Sequence, residues 1–173
     1  GGVIECVISG VPAGIGDPVF GKLDAALAQA VMSIGAVKGV EIGSGFAAAQ
    51  RSGSENNDEF CIDKDGKVSK KTNFAGGILG GISDGSPIVL RAAFKPTPSI
   101  FTEQGTVNQS GEEVKVQIKG RHDPIIVPRA VVVVEAMAAL TLVDRMFVGM
   151  SSRMDRIARF YDSSTAQKNY DKL

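Results

Sequence analysis

The chain has 173 residues, with 19 Lys plus Arg against 19 Asp plus Glu and a single histidine. That length supports one sizeable core, and the charge balance removes any bulk electrostatic case for a nucleic-acid or anionic-membrane partner. Cys6 and Cys61 lack CxxC or CxxH spacing, so with one histidine a zinc site is not expected, and two lone cysteines suit a reducing compartment.

Gly1-Gly2 runs directly into Val3-Ile4-Glu5-Cys6-Val7-Ile8, and residues 3–9 read as a strand. With no initiator methionine and no leader before it, the chain is expected to be a piece of a longer protein or a processed one. Gly10 to Gly16 form a glycine loop. Asp17-Pro18 then reads as a helix start, Asp as N-cap and Pro at the first helical position. Phe20, Leu23, Ala26, Leu27, Ala30, Val31 and Ile34 recur at helical spacing and predict one apolar stripe ending at Gly35. Val37 to Ile42 predict a second strand. Residues 43–86 are glycine-rich and polar, with Asp63-Lys64-Asp65-Gly66-Lys67 as a turn between two short strands. From Gly76 to Gly85, five residues in ten are glycine, which predicts close approach of the backbone to another backbone or to a ligand.

Ile88, Leu90, Ala92 and Phe94 alternate with Val89, Arg91, Ala93 and Lys95, the pattern of a half-buried strand. Val114 to Ile118 predict another. Pro128 opens a long helix, apolar on every side and therefore expected to be buried, in which Glu135 needs a partner. Glu135 also interrupts the longest apolar run, around Ala130 to Val143, which is too short to span a bilayer. From Ser151, with Arg153, Arg156 and Arg159 at three-residue steps, the pattern becomes that of a solvated tail. The implied organisation is residues 1–150 as one unit and 151–173 as a polar, helical or disordered extension.

Two stretches can carry chemistry. Lys95-Pro96-Thr97-Pro98-Ser99 places two hydroxyls and a stiff turn beside an ammonium, enough to hold a phosphate without a Walker motif, although it also fits an ordinary proline-stiffened exit from a strand. Gly120-Arg121-His122-Asp123-Pro124 sets a permanent cation, an imidazole and a carboxylate side by side. Arg121 offers five donors in a fixed fork, or a surface ion pair. Asp123 could exchange a proton in a closed pocket, or tie the turn before the next helix.

Taken in order, these segments resemble the C-terminal half of the chorismate synthase family. The resemblance rests on Gly10 to Phe20, Met32 to Gly43, Ala75 to Ser83, Lys95 to Ile100, Gly120 to Pro124, and Pro128-Arg129-Ala130 leading into Val134-Glu135-Ala136-Met137, and it covers residues 1 to about 148. It implies an α+β fold, one half of a β-α-β sandwich with mainly antiparallel sheets around helices. It also implies a cytoplasmic, homotetrameric lyase of aromatic amino-acid biosynthesis. That enzyme uses reduced FMN to eliminate phosphate from 5-enolpyruvylshikimate 3-phosphate, giving chorismate. The resemblance does not settle whether NADPH or an external donor reduces the flavin.

Carried over by position, the family's FMN contacts fall on Gly35, Ala36, Gly80, Lys95, Pro96, Thr97, Pro98, Ser99 and Arg121. Asp123 matches the aspartate assigned to proton exchange near flavin N5, and His122 has no assigned role. Gly35 stands where many members have Asn, and Phe74 where many have His. The family's two catalytic histidines and several substrate-gripping arginines belong to its N-terminal half, so this chain alone is expected to be inactive. The alternative is a non-catalytic phosphate- or flavin-binding α+β domain.

Overall fold

The alternating segment Ile88–Phe94 is the middle strand of a three-stranded antiparallel sheet in the computed structural model, which describes residues 1–121 and 123–162. In chain order the elements are β1 (Gly2–Ile8), α1 (Leu23–Met32), β2 (Val37–Ile42), a 3-10 segment (Gly45–Gln50) and α2 (Gly53–Asn56). There follow β3 (Phe60–Ile62), β4 (Val68–Lys70), β5 (Ile78–Leu79), β6 (Ile82–Ser83) and β7 (Ile88–Phe94). The chain continues with β8 (Gln104–Val107), β9 (Glu113–Val116), α3 (Val127–Met150) and α4 (Met154–Tyr161). The main sheet has the order β1-β7-β2, and the remaining strands pair as three hairpins, so every strand pair is antiparallel and the fold is α+β.

The core follows from the alternation. Ile88, Leu90, Ala92 and Phe94 all point to one face of the sheet and are buried there with Ile4 of β1 and Val37 of β2. Leu23, Leu27 and Val31, one helical turn apart on α1, close over that face and are fully buried. Each such side chain contributes about 2 kcal/mol by leaving water.

Two expectations need correction. Helix α1 does not begin at Pro18. Asp17 and Gly21 exchange backbone hydrogen bonds of 2.9 and 2.6 Å, which closes a tight turn outside the helix and leaves Phe20 fully exposed. The helix starts at Leu23, whose N–H donates to the carbonyl of Gly81 at 2.8 Å. A distant backbone group thus satisfies an orphan donor that a cap side chain was expected to take.

Nor is α3 buried all round. Ala130, Val134, Ala138 and Leu142, four residues apart, form one buried stripe against α1 and β1. Val132 and Leu140, on the other sides, are 63 and 65% exposed. A helix lying on a single two-layer unit meets neighbours on one side only. Glu135 is exposed on this helix and makes no ion pair among the described residues.

The Asp63–Lys67 turn joins β3 to β4 as expected. The predicted strand from Val114 is β9, and its partner β8 was not anticipated. Both cysteines are free. Among the described residues no helix is long and apolar enough to cross a membrane, and no three His, Cys, Asp or Glu side chains cluster as metal ligands. In the polar tail α4 is helical, and residues 163–173 lie outside the described residues.

Candidate functional site

The register of β7 sorts the candidate residues into two groups. At its Phe94 end, Gly2 of β1 and Val37 of β2 both pair with Phe94. Ala36 directly precedes Val37, and its carbonyl accepts the Lys95 N–H at 2.9 Å. Gly35, Ala36 and the Lys95–Ser99 loop are therefore neighbours, although about 60 residues separate them in sequence. Ala36 holds φ +73°, the one positive φ at a non-glycine residue among those described. Backbone strain of that kind persists where the surroundings enforce it, often at ligand sites. Gly35 is exposed with open space where a side chain would begin, so loss of the family's usual Asn leaves only backbone there.

The loop itself keeps unused capacity. Lys95 is exposed and makes no ion pair among the described residues. The Thr97 hydroxyl oxygen is out of contact with solvent and has no hydrogen-bond partner among the described residues. Buried hydroxyls are normally satisfied, so an orphan in a loop beside a free ammonium fits a missing polar ligand. From Ser99 the chain runs out into the exposed β8–β9 hairpin, which Gln104 Nε2 ties back to the Pro98 carbonyl at 3.1 Å.

Arg121 and Asp123 follow the hairpin and lead into α3, whose Val127 lies against Gly2. That contact brings the start of α3 to the Phe94 end. Arg121 is exposed and without an ion pair among the described residues; His122 lies outside them. The Asp123 carboxylate is paired, not with its neighbour Arg121, but with Arg129 on the first turn of α3: Arg129 Nη1 donates to Oδ2 at 2.5 Å. Of the two readings of Asp123, the tie to the helix start is realised, and it leaves Oδ1 without a hydrogen bond among the described residues. In the sequence Arg129 stands out only as part of the Pro128-Arg129-Ala130 family segment. The signal that could have found it is a cation in the first turn of a helix, where the helix dipole disfavours one.

Gly80 stands apart. The β5–β6 hairpin that carries it packs near the Ile88 end of β7, about 20 Å away along the strand. Gly76, Gly77 and Gly81 are there because backbone or side chain fills the space a Cβ would need; a methyl on Gly76 would sit 2.4 Å from the Gly43 nitrogen. Only Gly80 in that tract, at φ +61°, has open space around it. Phe74, in the family's histidine position, lies under the Arg51 guanidinium, 4.1 Å from the ring centre.

This geometry can be set beside known proteins. The chorismate synthase family model matches residues 1–147. The chain belongs to the chorismate synthase family. It is 71% identical over 161 residues to the chorismate synthase of Lachnoclostridium phytofermentans, a stretch covering 93% of this chain and 44% of that protein. It is 64% identical over 149 residues to that of Archaeoglobus fulgidus, covering 86% and 41%. A crystal structure of chorismate synthase matches 96% of this chain and 42% of its own, with a TM-score of 0.66 at 34% identity. The chain thus spans less than half the length of these chorismate synthases. The family match ends within α3, before α4.

Proposed function

We propose that this chain is the C-terminal half of a chorismate synthase, residues 1–150 forming that half and 151–173 an appendage, and that the Phe94 end of β7 is one wall of the active site. The family match over residues 1–147 carries the reading. The Thr97 hydroxyl, without a partner among the described residues, supports the place, because it is a buried polar group that the fold leaves available to a ligand.

The reaction is the anti-1,4-elimination of phosphate from 5-enolpyruvylshikimate 3-phosphate. The allylic C–O bond breaks and its electron pair leaves on phosphate. The ring double bond shifts toward the vacated carbon, and the electrons of a C–H bond across the ring form the second double bond as its proton departs. Reduced FMN, when bound, lends electron density to the breaking C–O bond. The chain's own residues bind and orient. Lys95, Thr97 and Ser99 supply cation and hydroxyls for a phosphate or polar edge, stiffened by Pro96 and Pro98, with backbone from Gly35 and Ala36 alongside. Arg121, without an ion pair among the described residues, holds anionic oxygens of cofactor or substrate. Asp123 takes and returns a proton at Oδ1. Gly80 offers its open backbone face to a group from beyond this chain.

The family's catalytic histidines lie in the other half, so the chain alone should not turn over. Cytoplasmic location and a tetramer of the full-length protein belong to the same reading. The test is anaerobic formation of chorismate with reduced FMN, by this chain and by the full-length protein containing it. Activity is expected only from the latter. Robust turnover by the chain alone would overturn the half-enzyme reading, and a full-length protein whose fluorescence titration shows no FMN binding would overturn the flavin assignment.

A further inference from the structure

We infer that Arg129 is a positioning residue for Asp123, an inference that rests on the proposed reading of Asp123 as the proton carrier. Arg129 stands in the first turn of a 24-residue helix that has no acidic residue of its own in that turn. Helix electrostatics disfavour a cation there, so the helix does not account for it. Packing does not either, because the side chain is 77% exposed. What Arg129 does is hold Asp123 Oδ2, six residues back across Pro124.

The consequence is geometric. Residues 123–126 lack regular structure, and the Asp123 carboxylate is fastened to the first turn of α3 instead of to Arg121. That element is itself seated on the sheet, Val127 against Gly2 and Gly2 opposite Phe94, one residue from Lys95. One line of contacts therefore registers the proton carrier against the Lys95–Ser99 loop. With Oδ2 held, Oδ1 is left to exchange the proton. Arg129 is the charged side chain paired with Asp123 among the described residues. The contact uses a single donor nitrogen, so a lysine can replace it.

The experiment uses the full-length protein carrying these residues, with R129Q, R129K, D123N and the R129Q/D123N double variant. R129Q should lower kcat about ten- to a hundredfold, the scale of a misplaced catalytic group. It should leave KM and reduced-FMN affinity within about twofold of the parent, because ground-state binding is untouched. R129K should recover most of the loss. In the D123N background R129Q should cost nothing further, as coupled partners require. Independently of activity, the carbon-13 resonance of the Asp123 carboxyl should move in R129Q and return in R129K. An equal loss from R129Q with or without Asp123, or an unmoved carboxyl resonance, would make Arg129 merely structural and overturn the inference. If D123N turns over normally, the reading of Asp123 fails and this inference with it. If D123N falls below detection, the carboxyl resonance and the lysine rescue decide.

Discussion

At the Ile88 end of β7 the backbone packs against itself and the polar side chains Asn73, Ser83, Lys70 and Asp84 all have partners, whereas at the Phe94 end polar groups are left over among the described residues. Buried Ser83 accepts from the Ile15 N–H at 2.9 Å and donates to the Pro12 carbonyl at 2.6 Å. Asn73 bridges Gly77 and Pro87 at 2.8 Å each. Lys70 and Asp84 form an ion pair whose side chains are only 7 and 14% exposed. The Phe94 end holds a strained Ala36 and, without a partner among the described residues, the Thr97 hydroxyl and the Lys95 ammonium. One end makes the fold rigid, and the other keeps binding capacity that the fold does not consume.

The contrast breaks most severely at Gly76. Gly76→Ala places a methyl within 2.4 Å of backbone at φ +66°. Overpacking and the left-handed conformation together should cost about 3–5 kcal/mol, read as a fall in the urea midpoint or as failure to fold. Gly80 has a similar φ but open space, so Gly80→Ala should cost only about 1 kcal/mol. Equal losses at the two glycines would show that close approach does not explain the tract.

Next in size is the Lys70–Asp84 pair. Lys70→Met strands a buried carboxylate and should cost about 3 kcal/mol. Burial alone would raise the Asp84 carboxyl, but the hydrogen bonds from Lys70 and Ser86 and the Lys70 charge outweigh it and hold it below its usual value. A depressed folded value means the contribution is present above the ordinary carboxylate range of about 4 and is lost as pH falls through the folded value. Acid titration of the urea midpoint should therefore show a loss in the parent that is smaller in Lys70→Met.

The elements that could be read from sequence are those decided locally. The alternation of Ile88 to Phe94, the β-branched run to Ile42 and the Asp-Gly turn at Asp65-Gly66 each carry their own period or turn chemistry, and each is found as expected. What failed was decided at a distance. Asp17-Pro18 is a good helix start until Gly81, some 60 residues on, offers its carbonyl to Leu23. The apolar girth of α3 says that partners are wanted, not which sides receive them. Strand β8, Gln-Gly-Thr-Val, is too short and polar to announce itself. The candidate site divides the same way: Lys95, Arg121 and Asp123 were legible as residue types in clusters, while the neighbourhood of Ala36 and Lys95 comes only from pairing two strands to Phe94, and Arg129 only from the path of the loop.

The smallest expected change in stability is also the sharpest test of the Phe94 end. Thr97→Val keeps the side-chain shape and removes a buried hydroxyl that lacks a partner among the described residues. If the hydroxyl were structural, its loss would destabilise. Because it is unsatisfied among the described residues, the variant should be neutral or more stable by up to about 1 kcal/mol. In the full-length protein the same change removes one hydrogen bond to the ligand and should weaken reduced-FMN binding about fivefold. The two signs are opposed: a group kept for the fold loses stability when removed, and a group kept for a ligand loses affinity alone. Denaturant unfolding of the chain and flavin titration of the full-length protein read the two quantities separately, and a destabilised Thr97→Val with unaltered flavin affinity would place Thr97 with the groups of the Ile88 end.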